Sequence, residues 1–361
     1  MRNLSIRFTA ETAKGAEIFL LFFLCGLSVL CGKAYCSELR FKFQPGDKYS
    51  LVSVTEQRMS RVVDSNERVI GQTIRLECDF DVQEVDESGT AWVKYTYKRV
   101  TLKLTSPEQK IDFDSDSNQM KTPSAVMPMR MALGESLYLR ITPQGRLEKI
   151  NGLQSVITNA KVRMGNFQGA EVVSREIEEQ FDEQEVRRTL EDELAVFPDS
   201  NQTGTWNRSY IQSSADISIQ KLEQGEDVNI IFERTYRLNT EKSGRGGIAV
   251  LDVNLVIKPI PAPIISATAS DKEMGSYVKP SIEVSGSGNG RVEIEEATGR
   301  IINATMTQDV VEKVKFITQG PVLRPPPSPQ PIVTHTVTTF QMMKLEEAKP
   351  ANANDSNEKG S

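Results

Sequence analysis

From Ile74 to Gln83 the chain alternates without a break. Ile74, Leu76, Cys78, Phe80 and Val82 are apolar, and Arg75, Glu77, Asp79, Asp81 and Gln83 are polar. Successive side chains of a strand point to opposite faces, so this pattern builds a ribbon with one dry and one wet face. Ribbons of that kind belong to antiparallel sheets, because the strands of a parallel sheet are covered on both sides. The same alternation returns in Ala249, Leu251, Val253, Leu255 and Ile257, and in Leu137, Leu139 and Ile141 ahead of the turn Pro143-Gln144-Gly145. Leu39, Phe41 and Phe43 alternate before Pro45-Gly46-Asp47 and are predicted as the first strand.

One run changes phase. Val93, Tyr95 and Tyr97 sit on odd positions, whereas Val100, Leu102 and Leu104 sit on even ones, so a bulge near Lys98-Arg99 is needed to keep one buried face. Bulges bend sheets, and a curved sheet is expected. The middle of the chain changes period instead. Leu153, Val156, Ile157 and Ala160 follow helical spacing and Gly165 supplies a stop; Val173, Ile177 and Phe181, then Val186, Leu190 and Leu194, continue it. The five-residue step from Phe181 to Val186 predicts a break near Asp182, which with Glu185 can cap a new helix.

Strands return after Trp206, with Ile217 and Ile219, then Val228, Ile230 and Phe232 beyond the Gln224-Gly225 turn. Gly290 precedes a hairpin holding Val292, Ile294, Ile301 and Ala304. The reading is a mainly β (α+β) protein: a curved antiparallel sheet in two β-rich halves with a helical insert between them. Its segments are a signal peptide over 1–36, an N-terminal half over 37–150, the insert over 151–200 and a C-terminal half over 201–318. A proline-rich linker over 319–331, a final strand over 332–343 and a disordered tail over 344–361 complete it.

The leader rests on the apolar run Ile18 to Leu30, preceded by Arg2, Arg7 and Lys14. Glu17 and Lys33 leave fifteen residues between them, short of the roughly 20 that a spanning helix needs. Cleavage near residue 36 and export to the periplasm or beyond are expected, ahead of a signal-anchored form. Cys25, Cys31 and Cys36 then leave with the leader, and Cys78 alone cannot form an internal disulfide. The formal net charge of −6 becomes −8 once four basic residues (Arg2, Arg7, Lys14, Lys33) and two acidic ones (Glu11, Glu17) are removed. Phosphate backbones repel such a chain, so nucleic acid is not expected as a partner.

Catalytic chemistry is thinly provided. His335 is the sole histidine, which leaves one residue to serve any Ser-His-Asp or Cys-His arrangement, and zinc sites of His and Cys are unprovided for. The acidic run from Glu171 to Glu193 interleaves with helical apolar positions and reads as a solvated outer face. No catalytic residue, cofactor ligand or metal ligand is assigned. Cys78 falls on the apolar side of its strand, as a buried thiol would. Trp92, Tyr95, Tyr97 and Trp206 are candidates for core or, should the curved sheet leave space, for the lining of a ligand pocket.

Several pieces together resemble an uncharacterised family of exported bacterial proteins, known only as a domain of unknown function. They are Leu39-Arg40-Phe41-Lys42-Phe43 with Pro45-Gly46-Asp47-Lys48-Tyr49, then Ile141-Thr142-Pro143-Gln144-Gly145-Arg146-Leu147 with Asn151-Gly152. Gly204-Thr205-Trp206 and the glycine hairpin from Gly286 to Thr305 complete the set. The resemblance implies no catalytic residues, and its layout is similar at fold level to the curved sheets of periplasmic lipoprotein carriers. The expectation is a non-catalytic exported protein that binds an apolar or amphipathic ligand, such as a lipid, or an envelope protein. A carboxylate-based hydrolase is the alternative from another class.

Overall fold

The computed structural model describes residues 39–63, 66–117, 122–165, 170–199, 204–213, 229–259, 277–319 and 332–345. The expected leader, the Ile217–Val228 strand positions with the Gln224-Gly225 turn, the proline-rich 320–331 stretch and the tail beyond 345 lie outside the described residues.

Among the described residues twelve strands form one antiparallel sheet: β1 Lys48–Val63, β2 Asn66–Val85, β3 Ala91–Thr105, β4 Lys110–Asp114, β5 Ser136–Ile141, β6 Leu147–Asn151, β7 Thr205–Ser213, β8 Asn229–Leu238, β9 Ile248–Pro259, β10 Tyr277–Glu295, β11 Ile301–Gln319 and β12 Ile332–Lys344. The order is β6-β5-β3-β2-β1-β12-β11-β10-β9-β8-β7, with β4 also beside β3. The first and last strands meet in the middle, from Leu51 opposite Lys344 to Val62 opposite Val333. That pairing joins the two β-rich halves into one sheet.

Among the described residues four α-helices lie between them or ahead of them: α1 Met127–Ala132, α2 Leu153–Met164, α3 Ala170–Gln180 and α4 Glu183–Leu194. Gly165 caps α2 as its sequence predicts. Asp182 caps α4, its Oδ1 accepting from the Gln184 and Glu185 amides at 2.8 and 3.4 Å, so the break between α3 and α4 falls where the apolar spacing slips. The bulge is also where the phase change requires it. Glu77 faces Arg99 while Cys78 faces Tyr97, and Lys98 is left over.

Helix α4 shows how far the sheet is rolled. At one end of the strand order, the Leu147 amide of β6 donates to Glu191 at 2.8 Å. In the middle, Ser53 of β1 reaches Glu193 at 3.5 Å, and near the other end Arg234 of β8 holds Asp192 at 2.8 Å. Eleven strands laid flat at their usual spacing span about 48 Å, whereas a helix with side chains is about 10–12 Å across. One helix reaches from the β6 end of the path to β8, one strand short of the other end, only because the sheet curls around it. The main core fills that concavity: Phe80, Tyr95, Leu139, Ile177, Phe181, Leu190 and Trp206 share one buried cluster.

Glycines on β10 permit the curl. Gly286, Gly288 and Gly290 occupy inward-facing positions opposite Val310, Gln308 and Met306. A Cβ at these sites would stand 2.4, 2.6 and 2.4 Å from carbonyl oxygens of β11. The strand therefore runs straight through Gly290 for 19 residues rather than starting after it, because glycine here relieves crowding at a bend instead of ending a ladder.

Leu39–Gln44 was expected as a strand and is not one. It runs extended but outside the ladders, between two hairpin turns. The Phe41 amide donates to Pro143 O of the β5–β6 turn at 2.7 Å, and the Lys42 amide to Thr298 O of the β10–β11 turn at 2.8 Å. The two turns thus hold the segment in one clamp, with Phe41 buried against Phe43 and Phe197. Alternation gave the correct buried face here, but the segment's amides are taken by turns instead of a neighbouring strand.

Candidate functional site

A cavity of about 170 Å³ opens between the last turn of α4 and the concave face of β1, β8, β10, β11 and β12. Val196, Tyr236, Val292, Ala304, Met306 and Phe340 form its apolar wall, and Thr55, Asp192, Glu193, Arg234, Gln308 and Thr338 its polar part. The strand registers explain the apolar row: Phe340 stands opposite Thr55 and Met306, Met306 opposite Gly290, and Gly290 opposite Val253, next to Tyr236.

The helical side is fixed from several directions. Val186, Leu190 and Leu194 bury one stripe of α4, and Phe197 just beyond it is fully buried. Trp206 donates through Nε1 to the Val196 carbonyl at 3.1 Å and stacks on Tyr236 at 5.8 Å. Two cavity-wall residues thus rest on one indole.

Arg234 is buried at 6% exposure on a strand whose same-face neighbours are Phe232 and Tyr236. Its guanidinium meets the Asp192 carboxylate at 2.5 and 2.8 Å and the Asp192 carbonyl at 3.1 Å, with the Tyr210 ring 5.4 Å away. Burial alone would lower its pKa, but Asp192 outweighs burial and the group stays charged. Glu193 differs. Burial first, and then the neighbouring Asp192 charge, push its carboxyl up to about 7 against the opposing bond from Ser53. At neutral pH it is poised between a hydrogen-bond donor and an anion.

The acidic run that ends at Glu193 is therefore not all solvated face. Glu191, Asp192 and Glu193 turn toward the sheet, because the final turn of α4 meets a backbone amide, an arginine and a serine there. The sequence signal for this was Arg234 itself, a charge at an apolar-parity position between Phe232 and Tyr236. The four aromatic candidates lie elsewhere than the cavity lining. Tyr95, Tyr97 and Trp206 belong to the main core, and Trp92 is half-buried on the opposite face of β3 from Tyr95. Cys78 is buried and accepts from the Tyr95 hydroxyl at 2.8 Å; burial pushes its thiol pKa far up. His335 sits at an exposed position of β12 beside Asp309, at 2.6 Å.

These features define a class: an open antiparallel sheet rolled around a helical insert, with an apolar cavity where helix and sheet part. The chain belongs to the family of unknown function DUF6263, whose model matches residues 88–301. No curated protein matches it. Among solved structures it is similar to lipovitellin, in a study of lipid–protein interactions, at 10% identity and a TM-score of 0.40 over 86% of this chain and 26% of that one. The chain thus spans about a quarter of the lipovitellin chain. OccK5 (OpdH) of Pseudomonas aeruginosa matches at 8% identity and a TM-score of 0.21, over 83% of this chain and 99% of that one. OpdQ of the same organism matches at 7% identity and a TM-score of 0.15, over 83% and 99%.

Proposed function

We propose that the protein is exported and binds an apolar or amphipathic ligand in the cavity beneath α4. The observation that carries this reading is the cavity: an apolar pocket on the concave side of a rolled sheet, with a few polar groups converging on one side of it. Ligand sites combine concave apolar walls with a small number of placed polar groups. A cavity of roughly 150 Å³ lined by apolar side chains takes a molecule the size of benzene. The enclosed part of the ligand is then a ring or a short acyl end, and a longer molecule extends along the sheet. Export is supported by the basic and apolar leader pattern of residues 1–36.

A second reading, an envelope interaction module, is favoured by one feature. Among the described residues β7 pairs with β8 alone, and Ile211 on it is 59% exposed. The hydrolase alternative has weaker support in the cavity, because one of the two carboxylates there, Asp192, is held by Arg234. Native mass spectrometry of the purified protein separates these readings. A co-purified small molecule of amphipathic mass that leaves on mild activation supports the carrier reading. Ligand-free protein that also fails to take up added amphiphiles contradicts it.

A further inference from the structure

Beside the cavity runs a row of side chains that are polar and uncharged. Gln72 of β2 stands opposite Gln57 of β1, Gln57 opposite Thr338 of β12, and Thr338 opposite Gln308 of β11. Gln72 Nε2 donates to Gln57 Oε1 at 3.0 Å, so the row is already linked at one end. Thr338 and Gln308 at its other end belong to the cavity wall. The next row toward the helix, Phe340 and Met306, is apolar. An amphiphile lying across these two rows has its apolar end in the cavity and its head on amides and hydroxyls.

We propose that the site selects an electrically neutral amphiphile, with an ester, amide or hydroxyl head on the Gln57–Thr338–Gln308 row and an apolar end in the cavity, and that it rejects carboxylate and phosphate heads. This rests on the binding role proposed above. Of the described residues lining the cavity, Arg234 is the cation, and Asp192 grips it through two side-chain oxygens and its carbonyl. An anionic head would have to enter next to Asp192 and Glu193 with that positive charge already neutralised. Burying an ion without a partner is strongly unfavourable.

Glu193 sets the head preference further. The groups that face it are Asp192 on its own helix, Ser53 on β1, Cys78 on β2, Tyr95 and Tyr97 on β3, and Arg234 and Tyr236 on β8. Protonated, its carboxyl donates to a carbonyl or hydroxyl oxygen; ionised, it offers an ester nothing. Binding of a head that only accepts hydrogen bonds therefore weakens as pH rises through about 7.

The test uses the full chain, Nile red displacement, and two probes of equal acyl length, methyl octanoate and octanoate. At pH 6 the ester is expected to bind at least tenfold more tightly than octanoate. Its affinity is expected to fall several-fold by pH 8.5 in the wild type and to stay level in Glu193→Gln, whose amide donates at every pH. Octanoate binding as tightly as the ester, or the same pH-dependent fall in Glu193→Gln, overturns the selectivity while leaving the binding role intact. Binding of neither probe, nor of Nile red, overturns both.

Discussion

Replacing Glu193 by Gln should make the protein more stable, and only above acidic pH. The carboxyl titrates near 4.5 in the unfolded chain and near 7 in the folded one. Below about pH 4.5 both states hold the proton, so the group costs nothing. As pH rises from 4.5 to 7 the unfolded state gives up its proton while the native state keeps it, so stability falls. Above about 7 the loss is complete. Each pKa unit is worth about 1.4 kcal/mol, so a shift of about 2.5 units amounts to roughly 3 kcal/mol. Glutamine keeps the shape and can still accept from Ser53, but carries no charge at any pH. Urea denaturation of wild type and Glu193→Gln at half-unit steps from pH 4.5 to 8.5 isolates the effect, since the other titrating groups cancel in the difference. The two should coincide at the acidic end and separate progressively, the variant ending about 3 kcal/mol more stable, on the order of 5–10 °C in Tm. A difference that is flat across this range, or that grows toward acid, refutes the assignment of a buried, proton-holding carboxyl.

Gly299→Ala should destabilise by more than about 3 kcal/mol in urea denaturation, because its Cβ would stand 1.8 Å from the Arg40 carbonyl oxygen at φ +70°. Gly46→Ala, at φ +86° with nothing within 4 Å, should cost only the left-handed backbone penalty of about 1–2 kcal/mol. Arg234→Met should cost about 3 kcal/mol by stranding Asp192, and adding Asp192→Leu should restore most of that, as a double-variant comparison will read. Cys78 should resist maleimide in the native protein and react fully in denaturant, as peptide mapping will locate, because its thiol is buried and held by Tyr95.

Most of the architecture was legible wherever one face of a segment is buried. The alternation at Ile74–Gln83 and Ala249–Ile257 marks strands because each ribbon must choose a side, and the slip at Lys98 marks a bulge because the buried face must stay continuous. The cap at Asp182 was legible for a local reason: it depends on two neighbouring amides, those of Gln184 and Glu185. What long-range pairing decides was not. Nothing in residues 39–44 says that two distant turns will take their amides, and nothing in residues 48–63 says that the last strand will lie beside them. The glycine row of β10 read as a hairpin signal because its role, space for the neighbouring strand's carbonyls, exists only in the sheet. The cavity was illegible for the same reason. Its acidic residues look solvated on a helical wheel, and only Arg234, a charge among inward-facing aromatics, betrayed that the helix end is turned inward.

The space beneath α4 is the binding site on which the proposed function depends. Ala304, almost fully buried on β11, belongs to the sheet side of its wall, so a larger side chain there enters that space from the side opposite α4. Isothermal titration of methyl octanoate into wild type and Ala304→Phe at pH 6, with unfolding curves to show that both are folded, is the most direct measurement. Saturable binding to the wild type and at least a tenfold loss in the folded variant are expected. Equal affinity for the two proteins would place the ligand elsewhere and contradict the proposed function.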